Sequence, residues 1–133
     1  MHIISEYPIG SVISVNVAPI GSDRMRRFRD ATRSTHSPDF LPSLPTIFRE
    51  AEFQWLDRLS IDWHQLLHAE QNYEYLSLVP CDRPLTMTTL LANVRVRKLS
   101  SGSMLFVELE TEIKSEDTRL VIARTSFVVR DVQ

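Results

Sequence analysis

Two groups of side chains in this sequence have the chemistry of acids, bases or metal ligands. His36 and Asp39 stand three residues apart in a proline-rich segment and form the best acid/base pair that the chain offers. His64, His68 and Glu70 form the second group, because histidines four residues apart can share one helix face as zinc ligands do. A strand that we expect to begin just before His68 breaks that alignment. Without a convincing third ligand, we predict no metal site.

The single cysteine, Cys81, lies between a proline and an aspartate. An adjacent carboxylate disfavours the thiolate that a nucleophile needs, so Cys81 is a poor candidate for nucleophilic catalysis. One cysteine cannot form an internal disulfide, which favours a reducing compartment.

The composition excludes several classes of protein. The 133 residues include 15 basic and 17 acidic side chains, a formal net charge of -2, so the basic excess of a nucleic-acid binder is missing. A hydrophobic content of 43% with 24% charged residues is typical of a globular protein. No apolar run approaches the roughly 20 residues that span a membrane, and no signal peptide is evident. We expect one soluble cytoplasmic domain over residues 1–133, with no nucleic-acid or membrane partner.

The first half of the chain carries helical patterns. After a short alternating strand at residues 12–17, a helix is predicted to begin at Ser22 or Asp23, whose side-chain oxygens can cap its first turn. Residues 33–45 lack any period and are predicted to form a long loop. A second helix is predicted over residues 45–59, where apolar side chains recur at spacings of three and four. This apolar stripe consists of Ile47, Phe48, Ala51, Trp55, Leu56 and Leu59.

The second half of the chain alternates between apolar and polar residues, a period that predicts strands. We expect strands near residues 72–76, 90–98, 105–114 and 120–130, with a hairpin turn at 100–103. An amphipathic helix in the first half of the chain, followed by an antiparallel meander in the second half, predicts an α+β fold. A sheet of this kind has open edges, and we expect dimerisation to cover them.

Several segments of the sequence resemble a known family. Leu67–Tyr75, which reads LHAEQNYEY, and Val79–Leu85, which reads VPCDRPL, resemble the LHGEQ and PGD segments of MaoC-like hydratase/dehydratase domains. Phe28–Thr32, Leu44–Phe48 and Thr125–Arg130 are similar to further family segments in the same order. The likeness covers most of the chain and is closest to the N-terminal half that partners a catalytic half.

This resemblance implies a hotdog fold, in which an antiparallel sheet wraps a long central helix. It also implies that two units pair with their sheets edge to edge and bind acyl thioesters of coenzyme A or acyl carrier protein along the interface. The family reaction adds water reversibly to an enoyl thioester and needs no cofactor. An aspartate positions the water and a histidine moves the proton, while an amide at the start of the central helix polarises the thioester carbonyl.

The catalytic pair of the family is missing at its expected place. Active members carry G-D-x-N-P-x-H in the loop before the central helix. In the corresponding segment of this chain, Ser34 replaces the aspartate, His36 the asparagine and Asp39 the histidine. A shifted register does not restore the motif, because no aspartate in the chain has a histidine five positions later.

We therefore predict a non-catalytic or substrate-holding hotdog subunit that pairs with a catalytic hotdog chain. Its acyl pocket is expected to lie between the loop and the central helix. The expected substrate-binding residues are Ser34, His36, Pro45, Thr46, Ile47 and Trp55. Two alternatives stay open at this point: a homodimeric hydratase or thioesterase with a rearranged site built from His36, Asp39 or Glu70, and a non-enzymatic acyl-coenzyme A-binding module.

Overall fold

A computed structural model describes residues 7–35, 45 and 49–130 of the chain. Within this part, five antiparallel strands form one sheet in the order β1-β3-β4-β5-β2. The elements are β1 (Val12–Pro19), α1 (Ser22–Thr32), α2 (Glu50–Arg58), a short 3-10 turn (Trp63–Gln65), β2 (Leu66–Tyr75), β3 (Pro84–Leu99), β4 (Gly102–Ser115) and β5 (Thr118–Arg130). The predicted order of helices followed by an antiparallel meander, and with it the α+β class, is confirmed.

The sheet has two different faces because successive side chains of a strand point to opposite sides. On β4, Leu105, Val107 and Leu109 are buried, and α2 covers this inner face with Trp55 and Leu56. The intervening residues of β4 lie on the outer face, which no helix of the described chain covers. A core of apolar side chains therefore separates α2 from the sheet.

Helix α1 packs at the other end of the inner face, and its predicted cap is wrong. Neither Ser22 nor Asp23 caps the helix with its own side chain, and Gly21 occupies the N-cap position. Instead, Asp82 Oδ1 accepts a hydrogen bond from the amide of Ser22 at 3.2 Å. The Asp82 amide donates to the Ile20 carbonyl at 2.7 Å. The aspartate of the VPCDRPL segment thus holds the start of α1.

Cys81 also contributes to the packing of α1. Its Sγ lies 2.8 Å from Sδ of Met25, a helix residue with no exposed surface. This contact is consistent with a structural sulfur and places Cys81 away from α2. No helix in the described residues is long and apolar enough to cross a membrane.

Strand β2 begins at Leu66, close to the start that we expected just before His68, and it continues through most of the segment predicted near residues 72–76. It lies at the edge of the sheet, and its register shifts between His68 and Glu70.

The helix predicted over residues 45–59 ends where expected, because α2 stops at Arg58 and Ser60 takes a left-handed φ of 56°. The described part of this helix begins at Glu50. Residues 46–48, with Ile47 and Phe48 of the apolar stripe, lie outside the described residues.

Candidate functional site

One carboxylate lies inside the apolar layer between α2 and the sheet. Glu52 is 4% exposed and is the only charged side chain among the buried residues of the described chain. It belongs to the first turn of α2, where the positive end of the helix favours a negative charge. The N-cap residue Arg49 approaches both carboxylate oxygens with its Nε, at 3.3 and 3.4 Å. The ion pair offsets part of the large cost of removing a carboxylate from water.

From Glu52, side-chain contacts continue across the sheet to its open edge. Thr125 Oγ1 of β5 lies 3.1 Å from Glu52 Oε2 and 2.9 Å from the side-chain amide of Gln71 on β2. The same amide lies 3.2 Å from Nε2 of His68, an exposed residue of β2. We call Arg49, Glu52, Thr125, Gln71 and His68 the Glu52 network. It joins the first turn of α2, a central strand and an edge strand.

The number of protons fixes the orientation of the Gln71 amide. The Thr125 hydroxyl has one proton and faces two groups, the Glu52 carboxylate and the Gln71 amide. If the amide oxygen faced Thr125, two acceptors would compete for this one proton. The oxygen and nitrogen of an amide are alike in shape, so their assignment follows from their partners. We assign Nε2 to the Thr125 side.

In this orientation every contact of the network has one donor and one acceptor. Nε2 of Gln71 donates to Thr125 and, in the tautomer that leaves Nε2 of His68 without a proton, to that nitrogen, while the Thr125 hydroxyl donates to the Glu52 carboxylate. The carboxylate then receives hydrogen bonds from Arg49 and Thr125, and charge-assisted bonds of this kind are the strong ones. The Glu52 network is therefore a directional chain that runs from β2 to α2.

Trp55 of α2 carries a second unusual polar group in the core. Its side chain is 3% exposed, and Nε1 has no acceptor among the described residues. The Tyr7 ring packs edge-on against the indole, with ring centroids 5.8 Å apart. An unpaired buried N–H costs about 1–3 kcal/mol, so an oxygen placed against it would be bound favourably.

A groove of about 280 Å³ runs beside the first turn of α2. Glu50, Ala51 and Gln54 of α2 form one wall, and Met87 with residues 16–19 of β1 forms the other. Its walls include the start of the central helix, which the family resemblance assigns to the thioester carbonyl. The groove is thus the described space nearest to that expected chemistry.

The residues predicted to bind substrate fall in several places. Ser34 follows the end of α1, where its amide donates to the Arg29 carbonyl at 3.0 Å. Pro45 is buried, and Trp55 lies in the core cluster beneath α2. Four predicted site residues lie outside the described residues: His36, Asp39, Thr46 and Ile47. The substrate-binding roles of all six residues stay predictions.

Glu70, the third catalytic candidate, faces away from α2. It pairs with Ser126 and lines a groove of about 350 Å³ on the outer face, together with Arg95 and Phe106. The Arg95 guanidinium lies 4.7 Å from the centroid of the Phe106 ring. Within one chain, the sheet separates the Glu70 carboxylate from the first turn of α2.

Other side chains with acid, base or ligand chemistry do not extend the network. His64 lies in the 3-10 turn and His68 in β2, so the two histidines share no helix face. No three histidine, cysteine, aspartate or glutamate side chains converge in the part of the chain that the structure describes. Burial raises the pKa of Tyr75 well above its usual range, and neighbouring Tyr73 raises it further. The Tyr75 phenol therefore stays protonated in neutral solution.

Sequence reasoning missed the Glu52 network, although one signal was present. Glu52 lies four residues after Phe48 and three before Trp55, which places it on the apolar stripe of the predicted helix. A charged residue at a core-facing position needs a buried partner. The sequence offers no comparable signal for Thr125, which lies at an inward position of an ordinary alternating strand.

The family comparison covers most of the chain. Residues 37–124, about two thirds of the chain, match the family model described as the FAS1-like dehydratase domain region. By sequence, no curated protein matches the chain.

Several solved structures share the fold. The HadBC complex of Mycobacterium tuberculosis, a (3R)-hydroxyacyl-ACP dehydratase, contains a chain with a TM-score of 0.68 and 11% identity, over 92% of this chain and 98% of that one. A chain of the ChsH1-ChsH2 complex of the same organism has a TM-score of 0.67 and 7% identity, over 92% of this chain and 86% of that one. The (R)-hydratase of A. caviae involved in PHA biosynthesis has a TM-score of 0.61 and 12% identity, over 92% of this chain and 96% of that one. Identities this low show the fold alone, and they confirm the predicted hotdog fold.

Removing the buried carboxylate should destabilise the chain strongly. We expect Glu52→Ala to lower the free energy of unfolding by about 3 kcal/mol, because Arg49, whose side chain is 17% exposed, loses its partner. Glu50→Ala is the matched control on the same helix, where an exposed residue should cost less than about 0.5 kcal/mol. Urea denaturation measures the free energy of unfolding of both variants, and equal losses would contradict a structural role for Glu52.

Proposed function

The chain belongs to the FAS1-like dehydratase domain family of MaoC-like hotdog proteins, and we propose that within this family it is a non-catalytic, substrate-holding subunit. The enzyme that it completes adds water to, or removes it from, an acyl thioester. A second hotdog chain supplies the catalytic aspartate and histidine. The thioester is carried by coenzyme A or by acyl carrier protein.

One observation carries this proposal. The loop that holds the catalytic pair in active family members has Ser34 and Asp39 in place of the aspartate and histidine. A serine can hold a water molecule but cannot accept its proton as a base at neutral pH. An aspartate in place of the histidine could accept a proton, but His36 at the asparagine position is then the one candidate acid in the motif. The chain retains the family's fold without the pair that performs the family's chemistry.

The comparisons support a partner chain. Two of the similar structures, HadBC and ChsH1-ChsH2, are named as complexes. A division of labour in which one hotdog chain holds the acyl group while another performs the chemistry would explain the altered loop. The start of α2 and the groove beside it are the parts of this chain that we assign to holding the thioester.

We place the partner on the edge strand β2. Within the described part of the chain, its ten residues pair with β5 on one side only, and they contain no proline. The opposite edge strand, β1, ends in Pro19, and a proline hinders pairing with another strand. An open strand edge binds a further strand through main-chain hydrogen bonds.

Exposed aromatic side chains next to β2 also favour this edge. Trp63 and Phe53 are 45% and 42% exposed, and their ring centroids lie 6.0 Å apart. The Arg49 guanidinium lies 4.9 Å from the Phe53 ring centroid. Aromatic residues and arginine are enriched in the buried centres of protein interfaces.

The activity of the chain by itself tests the proposal. We expect no turnover of crotonyl-coenzyme A or longer enoyl thioesters by the purified chain. Hydration should appear when it is co-expressed with a hotdog chain that carries an intact Asp-x4-His loop. A short reading frame next to this one is the first partner to try, and size-exclusion chromatography detects the complex.

Two outcomes would contradict the proposal. Turnover by the chain alone, abolished by His36→Ala, would indicate a homodimeric enzyme with a rearranged site. Binding of acyl-coenzyme A without turnover, even with every candidate partner present, would indicate a non-enzymatic binding module.

The position of the partner seam is tested by one substitution at each edge of the sheet. We expect Trp63→Glu to weaken partner binding at least tenfold, because it places a charge in the aromatic centre of the interface, where hot-spot residues contribute about 2 kcal/mol or more. The matched control is Val17→Glu on β1, where the valine is 65% exposed, and it should leave affinity unchanged. Isothermal titration calorimetry measures both affinities. Loss of binding in the Val17→Glu variant alone would place the partner on β1 and contradict the assignment to β2.

A further inference from the structure

We infer that Gln71, Thr125 and Glu52 are positioning residues that couple the open edge of β2 to the first turn of α2. This inference rests on the proposed function in two respects: the helix start is taken to face the thioester, and the partner is taken to bind β2. The coupling itself is a property of this chain and can be measured without a partner.

The geometry gives an unbroken link across three elements. Gln71 and Thr125 are directly opposite each other in the pairing of β2 with β5. The Thr125 hydroxyl lies 2.9 Å from the Gln71 amide and 3.1 Å from the Glu52 carboxylate, so it bonds to both. A displacement of β2 can therefore reach Glu52 through this hydroxyl.

Directional bonds are needed because the rest of the helix contact is apolar. Trp55 and Leu56 hold α2 on the sheet, but hydrophobic burial is not directional and tolerates small shifts along the helix axis. Hydrogen bonds depend steeply on angle and distance. Glu52 and Arg49 lie at the beginning of the helix, so the network fixes the end of α2 that we assign to the thioester.

The position of this helix end matters for catalysis. An amide that polarises a carbonyl must meet the developing negative charge at hydrogen-bonding distance. A misplacement of about 1 Å in an active site can cost about 100-fold in rate. Pairing of a partner strand with β2 restricts the backbone of Gln71. Through Thr125 and Glu52, this restriction also limits the position of the first turn of α2.

The chain contains a matched control for Thr125. Thr89 and Thr111 form another buried hydroxyl pair on the inner face, with their oxygens 2.7 Å apart. These two threonines bond across β3 and β4, and neither has a hydrogen bond to the described residues of α2. Thr111→Val removes a buried hydroxyl with the same change in side-chain shape as Thr125→Val but leaves the Glu52 network intact.

Hydrogen exchange of the full chain tests the coupling. We expect Thr125→Val and Gln71→Leu each to lower the protection of the backbone amides of residues 52–55 about tenfold, since both variants lose the bond between Thr125 and Gln71 that joins β2 to β5. Combining the two variants should add little further loss, because the link is already broken. Thr111→Val should leave these amides unchanged. Equal loss in Thr111→Val, no loss in Thr125→Val, or additive losses in the double variant would overturn the coupling.

Steady-state kinetics of the reconstituted complex tests the positioning role. Thr125→Val should lower kcat at least tenfold, with KM and the Kd for the partner changed less than about threefold. Thr125→Ser, which keeps the hydroxyl, should restore most of kcat, and Thr111→Val should stay within about twofold of the unaltered complex. An unchanged kcat in Thr125→Val would overturn the positioning role. An inactive unaltered complex would contradict the proposed function, while the exchange experiment would still decide the coupling.

Discussion

A buried carboxylate constrains how the described part of this protein fits together. Glu52 lies in an apolar layer that would reject an unpaired charge, so its neighbours must provide hydrogen-bond donors. Arg49 does so from the helix start and Thr125 from the sheet. When Gln71 presents its nitrogen to the threonine, no second acceptor competes with Glu52 for the Thr125 proton. The hydrogen bonds of the Glu52 carboxylate thus depend on the rotation of α2, on the pairing of β5 with β2 and on the orientation of the Gln71 side-chain amide.

Under the proposed function, the holding of a substrate is separated from the chemistry performed on it. The groove beside the helix start is lined by apolar and polar side chains, among them Ala51, Met87 and Glu50. Of the carboxylates discussed above, Glu52 is engaged by its network and Glu70 lies on the opposite face of the sheet. The proposal assigns the proton transfers to another chain, and the open edge at β2 offers a place for one.

The elements whose residues interact mainly with near neighbours were predictable from the sequence. The alternation in β4 predicts its inner and outer faces correctly, because side-chain direction in a strand depends only on position along it. The cap of α1 was not predictable, since its acceptor is Asp82, 60 residues away in the chain.

The candidate site was predictable only in part, for a similar reason. The apolar stripe correctly identifies Ala51, Trp55 and Leu56 as core residues of α2. Glu52 interrupts that stripe. One of the donors that stabilise its buried carboxylate is Thr125, which is 73 residues away in the sequence. Long-range hydrogen bonds leave no periodic trace in a sequence. The family resemblance predicted the class of reaction, and the local patterns predicted which side chains of the helices and strands face the core.

The rate of enoyl thioester hydration by the assembled two-chain enzyme tests the central claim most directly when His36 and Asp39 of this chain are both replaced by alanine. If this chain only holds the substrate, kcat should stay within about threefold of the unaltered complex, because the proton transfers belong to the partner. A fall of 100-fold or more, with KM and assembly unchanged, would show that this chain performs the chemistry itself.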